Sequence, residues 1–175
     1  STGSDTVTIA TTMNNGVVNL GGGTDLLQLA AGTNSLSATN VEYVYGTASD
    51  DTLILTNTQS GTSIYLGSGI DTLQLAAGTN SLGATNIEYI YGTASDDTLT
   101  LNNAQFGAII DLQGGNDTLN LNNAGNTVTV SNIENITAGT GNDVVTLAST
   151  VSGMTLNLGA GNDVLNLAAG TNSLS

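Results

Sequence analysis

The chain has no lysine, arginine or histidine among its 175 residues, and fourteen acidic side chains stand against that absence. A formal charge of −14 with no cation of its own makes nucleic acid an implausible partner, because phosphate binding needs Lys or Arg to displace counterions. An anionic membrane surface is implausible for the same reason. Cysteine is absent as well, which removes disulfides and thiolate metal sites and leaves packing and hydrogen bonds to hold the fold. No apolar run approaches the ~18 residues a membrane helix needs, and no basic segment followed by an apolar one opens the chain. The expectation is a soluble protein without membrane insertion. Nucleophilic catalysis by Ser or Thr needs a base, and no His, Lys or Cys exists to act as one. Two carboxylates suffice for glycoside hydrolysis, but Trp is absent and Phe106 is the single Phe, so the aromatic platforms of a sugar cleft are scarce. These absences predict that the chain is not an enzyme. Self-repulsion among so many anions is relieved by gathered counter-ions, and metal cations are the natural candidates.

What is present is a ruler. Asp5, Asp51, Asp97 and Asp143 form one series and Asp25, Asp71, Asp117 and Asp163 another, both advancing in steps of 46 residues. Glu42, Glu88 and Glu134 keep the step, as do Asn40, Asn86 and Asn132, and Asn34, Asn80, Asn126 and Asn172. The chain therefore reads as a single repeat domain, 1–175, of units 1–45, 46–91, 92–137 and a truncated 138–175. Fixed self-similarity of this kind marks a solenoid, in which each unit buries its apolar face by stacking on the next.

After each of the eight aspartates, positions +2 and +4 are aliphatic, from Val7/Ile9 to Leu165/Leu167. That alternation, punctuated by glycine, predicts strands with one face buried. A second strand follows in each interval, at Val18/Leu20, Ile64/Leu66, Ile110/Leu112 and Leu156/Leu158, and at Val41/Val44, Ile87/Ile90 and Ile133/Ile136, where a spacing of three points to a bulge or bend. The aspartates are separated alternately by 20 and 26 residues. Taking each interval as one coil gives an all-β, right-handed parallel β-solenoid (β-roll or β-helix) of about eight coils from 46-residue double-coil repeats, roughly 38 Å long; a single 46-residue coil of four or five strands is the competing geometry. The six extra residues of the longer interval add a short third strand around Leu36, Leu82 and Val128. Stacking at a fixed repeat would place Asn over Asn, Tyr43 over Tyr89, Tyr45 over Tyr91, and Thr6, Thr52 and Thr98 in a row. For Asn, tolerance of a left-handed turn is the alternative.

Turns before the aspartates read Gly21-Gly-Gly-Thr-Asp25, Gly67-Ser-Gly-Ile-Asp71, Gly139-Thr-Gly-Asn-Asp143 and Gly159-Ala-Gly-Asn-Asp163. With the x-aliphatic-x-aliphatic strand that follows, this G-x-G-x-D pattern resembles the RTX family of secreted bacterial proteins. More closely, it resembles the degenerate RTX-like β-strand repeats of bacterial cell-surface proteins. The resemblance implies Ca²⁺ held between turns by aspartate and by carbonyls that glycine exposes. Departures are plain: Leu20, Leu66, Leu112 and Leu158 stand where the motif opens on glycine, and Thr47-Ala-Ser-Asp-Asp51 and Thr93-Ala-Ser-Asp-Asp97 lack its glycines. Candidate metal ligands are Asp5, Asp25, Asp50, Asp51, Asp71, Asp96, Asp97, Asp117, Asp143 and Asp163. If the eight repeated aspartates line one edge, neighbouring charges repel by roughly 0.9 kcal/mol per pair even in water. The alternative role is capping of turns by accepting backbone N–H groups.

The expected function is a structural repeat segment of an exported bacterial surface-layer, matrix-fibre or adhesin-stalk protein, extracellular or on the cell surface. On this reading Ca²⁺ stabilises it, and copies of the chain stack end to end into a filament or layer. The alternative is a binding module, with an ice-binding threonine array or a glycan-binding adhesin face.

Overall fold

A computed structural model describes residues 1–175 as nineteen short strands and no helix. In one sheet lie β1 (Thr6–Thr8), β3 (Leu26–Gln28), β5 (Tyr43–Thr47), β7 (Ser60–Gly67), β9 (Thr79–Thr85), β11 (Thr98–Leu101), β13 (Thr118–Asn120), β15 (Asn135–Thr137), β17 (Ser152–Asn157) and β19 (Ser173–Leu174). The other holds β2 (Asn14–Asn19), β4 (Ser35–Thr39), β6 (Thr52–Leu55), β8 (Thr72–Gln74), β10 (Tyr89–Thr93), β12 (Phe106–Gln113), β14 (Thr127–Ser131), β16 (Val144–Leu147) and β18 (Val164–Asn166). Odd strands pair only with odd and even only with even, always parallel. The chain is thus a parallel β-solenoid with a two-sided cross-section, as expected in kind. Nine inter-strand steps in the first sheet and eight in the second accord with about eight coils, and at ~4.8 Å per step the stack is about 40 Å long.

The internal phase differs from the expected one. Each 46-residue unit carries five strands, for example β6 to β10, and since two strands make a coil the unit spans two and a half coils rather than two. The third strand of the longer interval exists, as β4, β9 and β14, but it crosses to the opposite sheet instead of forming a third side. Residues 46 apart therefore alternate between sheets. Thr6 and Thr98 lie on the first and Thr52 on the second, so the expected threonine row does not form. Tyr43 and Tyr89 are likewise on opposite sheets; Tyr45 instead pairs with Tyr65, ring centroids 6.4 Å apart, and Tyr89 lies parallel to Tyr91 at 6.2 Å.

Period two is what makes the core. The +2 residues Leu27, Leu53, Leu73, Leu99, Leu119 and Val145 are fully buried, and the leucines two residues after each nearly so. They join one contiguous cluster with Ile64, Ile90 and Ile110. The spacing of three at Val41/Val44 is a corner, not a bulge: residues 40–42 turn the chain from β4 to β5, and Asn40, Asn86 and Asn132 adopt φ of 53°, 52° and 51° there. This Asn series holds its place through the left-handed conformation that Asn tolerates. The bulges lie elsewhere, in β2, β7, β12 and β17, where the register slips at Asn15, Gly61, Gly107 and Gly153, all with positive φ.

Burial of this kind makes a definite mutational prediction. Leu73→Ala, at a fully enclosed site, is expected to destabilise by ~2–5 kcal/mol. Leu167→Ala, whose side chain is 52% exposed on the last coil, should cost about 1 kcal/mol or less. Denaturant midpoints of the two variants check the ranking.

Candidate functional site

Side chains two apart on a strand share a face, so an aspartate two residues before an inward leucine points inward too. Six of the eight do: Asp25, Asp51, Asp71, Asp97, Asp117 and Asp143 are at most 1% exposed, while Asp5 and Asp163 on the outer coils are half-buried. The eight do not line one edge. Asp5, Asp25, Asp97 and Asp117 precede strands of the first sheet, and Asp51, Asp71, Asp143 and Asp163 precede strands of the second. The reason is the odd strand number, which carries each successive unit to the opposite margin.

A buried carboxylate needs donors, and here the neighbouring coil provides them. The N–H of Asp5 donates to Asp25 Oδ1 (2.8 Å), and that of Asp25 to Glu42 Oε2 (2.7 Å). On the other margin Asn34, Asp51 and Asp71 donate in turn to Asp51 Oδ1 (2.9 Å), Asp71 Oδ1 (2.7 Å) and Glu88 Oε2 (2.8 Å). Asp97 and Asp117 repeat this toward Asp117 Oδ1 and Glu134 Oε2, as does Asp143 toward Asp163 Oδ1. Asn34, Asn80, Asn126 and Asn172 add a further acceptor, Oδ1 taking the N–H of Met13, Gln59, Gln105 and Val151 at 3.1–3.2 Å. The full sequence Asn, Asp, Asp, Glu is bonded through once, from Asn34 to Glu88; its Asp, Asp, Glu part recurs on the opposite margin at Asp5 to Glu42 and at Asp97 to Glu134, and Asn126, Asp143 and Asp163 begin it again. Glu42, Glu88 and Glu134, which keep the 46-residue step, are the third acceptors of this ladder.

Asn34, Asn80, Asn126 and Asn172 do not stack on one another. Each clasps its own turn, Nδ2 donating to the carbonyls four and two residues back, such as Ala30 and Gly32, both at 2.7 Å from Asn34. The choice between Asn and Asp follows from what the turn directs inward. In A-A-G-T-N turns it is carbonyls, which require an NH₂. In T-A-S-D-D turns it is donors: the N–H and hydroxyl of Thr47 reach Asp51 Oδ2, and those of Thr93 reach Asp97 Oδ2 at 2.6 and 2.9 Å. At Asp25, Asp71, Asp117 and Asp143 the turn directs neither, and the buried Oδ2 has no hydrogen-bond partner. Three of these four are G-x-G-x-D turns; the fourth is Gln113-Gly-Gly-Asn-Asp117, where Gln113 takes the glycine's positive φ of 70°. Asp50 and Asp96 lie outside and accept the N–H of Ile70 and Asn116, both at 2.8 Å; they serve as backbone acceptors of a second, outer ladder.

Electrostatics follow from burial without any cation. Desolvation, opposed by the N–H bond from Asp51 and reinforced by Glu88, Asp51 and Asp50, pushes Asp71 up from 3.8 to about 6. Asp117 is raised by the same causes, with Glu134, Asp97 and Asp96 as the neighbouring anions. For Ca²⁺ the donors fit in kind, being hard anionic oxygens beside glycine turns. In number they fall short: no group of three or more acidic side chains converges at one point. One free carboxylate oxygen per turn remains, at Asp25, Asp71, Asp117 and Asp143. Comparison with family models, curated proteins and solved structures finds no match to this chain.

Two predictions follow from the ladder. Asn80→Asp would set an oxygen against the carbonyls of Ala76 and Gly78 that Nδ2 now bonds, and should destabilise by ~1–3 kcal/mol in a denaturant titration. The second concerns pH. In the unfolded chain Asp71 titrates near 3.8 and in the fold near 6, so between those values the folded state binds the extra proton. Stability therefore falls as pH rises through about 6, and the apparent Tm in chelator should be higher at about pH 5 than at pH 7. The Asp71→Asn/Asp117→Asn double variant should flatten that slope; an unchanged slope would assign it to other groups.

Proposed function

We propose that the chain is a structural repeat segment of an exported bacterial surface protein, of the surface-layer, matrix-fibre or adhesin-stalk kind. One observation carries the reading: the N–H to carboxylate ladder built on paired aspartates recurs on alternate margins along the chain, and no turn is set apart from its copies as a reaction centre would be. A rod of repeated backbone-closing contacts is a spacer by construction, and its net charge of −14 without a basic side chain suits an ion-rich exterior. Outer strands β1, β2, β18 and β19 present unpaired edges in this structure, to which further coils, of the same chain or of another copy, can add.

Ca²⁺ is proposed as a stabiliser of this rod rather than as its organiser. Asp25, Asp71, Asp117 and Asp143 would hold it through their free oxygens, with glycine-turn carbonyls and water completing the shell. Because the ladder closes between N–H groups and side chains without an ion, the β circular-dichroism spectrum should persist in chelator. Saturating Ca²⁺ should raise the melting temperature, by an increment equivalent to ~2.7 kcal/mol per site at a hundredfold excess over Kd. A melting curve indifferent to Ca²⁺ would remove the metal from the proposal. Sedimentation and electron microscopy across a concentration series check the assembly: end-to-end oligomers are expected, and a monomer at every concentration would remove self-stacking.

A further inference from the structure

In an array of copies, positions that hold the fold repeat, so a surface feature built from residues the repeat does not dictate calls for another explanation. One such feature lies on the first sheet. Tyr45, Tyr65 and Thr85 occupy successive rungs of β5, β7 and β9, and beside them run Tyr43, Ser63 and Gly83. Tyr45 and Tyr65 are 45% and 41% exposed, their rings tilted by 49°. Gly83 leaves a gap next to them: a Cβ there would meet nothing nearer than Asn103 Oδ1 at 3.4 Å. Asn103 is fixed as the far wall, its Nδ2 donating to the carbonyl of Ala84 and to Thr85 Oγ1 (3.0 Å) and its Oδ1 accepting the Ala84 N–H (2.8 Å). The result is an open groove of about 400 Å³, within the size range of small-ligand sites.

Tyr45, Thr85 and Asn103 have counterparts in Tyr91, Thr39 and Asn57, but the residues that complete the groove do not repeat. Where Tyr65 stands, the other units have Asn19, Asp111 and Asn157; where Gly83 stands, they have Ser37, Thr129 and Ser175; where Asn102 stands, Thr56 and Ala148. The backbone departs at the same place. β9 and β11 pair with an offset of 19 residues, against 17 for the equivalent pairs β4/β6 and β14/β16. A slip of two keeps every side chain on its face but shifts Asn102 and Asn103 along the groove. It also interrupts the ladder, so that Gly78 rather than Asn80 donates to Asp97 Oδ1 (2.7 Å).

We propose that this groove binds a neutral oligosaccharide segment. Its lining joins two exposed phenol rings, which stack on the C–H faces of a sugar, to amides and hydroxyls that pair with sugar hydroxyls. No carboxylate lines it, so a cationic ligand would have no ion partner there. A chain of net charge −14 without Lys or Arg repels polyuronates and nucleic acids, the other ligands that aromatic rings attract.

The absence of Trp leaves tyrosine fluorescence as a direct reporter. Titration with cello-, malto- and xylo-hexaose, monitored by that emission and by amide NMR shifts, should show saturable binding of at least one of them at millimolar concentration or below. Tyr65→Asn and Gly83→Ser install residues that equivalent positions already hold, so folding is not at stake, and a preserved β spectrum confirms it. Each should weaken binding by about tenfold or more. Tyr91→Thr, on the opposite sheet and matching Thr137, should leave it unchanged. Saturation by spermine or polygalacturonate in place of neutral sugars would overturn the assignment. So would the absence of saturable shifts with all three hexaoses, or affinity indifferent to Tyr65→Asn.

Discussion

The hydrogen bond from a backbone N–H at the start of one strand to a buried side-chain oxygen on the next coil is the constraint around which this solenoid is organised. Parallel strands bond their neighbours along their length, but at each corner the chain leaves the sheet and strands a donor just inside the apolar core. Leaving that donor unpaired would cost ~1–3 kcal/mol per coil. An Asn, Asp or Glu at the corner accepts it, and because the acceptor belongs to the adjacent coil the bond also fixes register. Acidic residues are thus buried for a backbone reason, and their mutual repulsion, roughly 0.9 kcal/mol per adjacent pair in water, is the cost of using carboxylates where amides would also accept. Runs of three carboxylates are broken by Asn and by bulged strands, which keeps the repulsion from accumulating along a whole margin.

Most of the fold was legible because it rests on period two. The alternation after each aspartate identified the core leucines, and glycine punctuation separated the strands; even the third strand of the longer interval could be located at Leu36, Leu82 and Val128. What sequence spacing does not reveal is the cross-section. A triangular coil of three strands and a flat one of two leave the same pattern of alternation, and only the flat one forces an odd-stranded unit to change sides. The misplaced threonine row, the tyrosine stack and the single acidic edge all descend from that one undetermined quantity.

For the candidate site the decisive signal in the sequence is parity rather than charge. Asp71 stands two residues before Leu73 and four before Leu75, so if those leucines face inward the aspartate does too. The same parity applied to Asn34 before Leu36 points to a buried amide, not an exposed ladder. The free oxygens of Asp25, Asp71, Asp117 and Asp143 lay beyond such reasoning, since they depend on which peptide groups a five-residue turn directs inward. Glycine at the first turn position adopts φ of 97° at Gly21 and 111° at Gly67, conformations open to it for want of a Cβ, and Thr47 and Thr93 at that position bring donors to their aspartates instead.

The five-strand unit also explains how the array can grow by single units although its chemistry sits on alternate sides. Adding 46 residues adds two and a half coils, a rise of about 12 Å at ~4.8 Å per rung, and turns the next unit through half a revolution. The two margins are then related by a screw operation and are chemically equivalent, each alternating a run of paired Asp and Glu with the bulged strand that follows. A duplicated unit therefore meets the acceptors its corner donors require whichever side it begins on. Had the unit held an even number of strands, all carboxylates would share one margin and the rod would carry its charge on a single side. An odd count distributes that charge over both margins, which makes the count itself a physical property of the repeat and not an accident of its length.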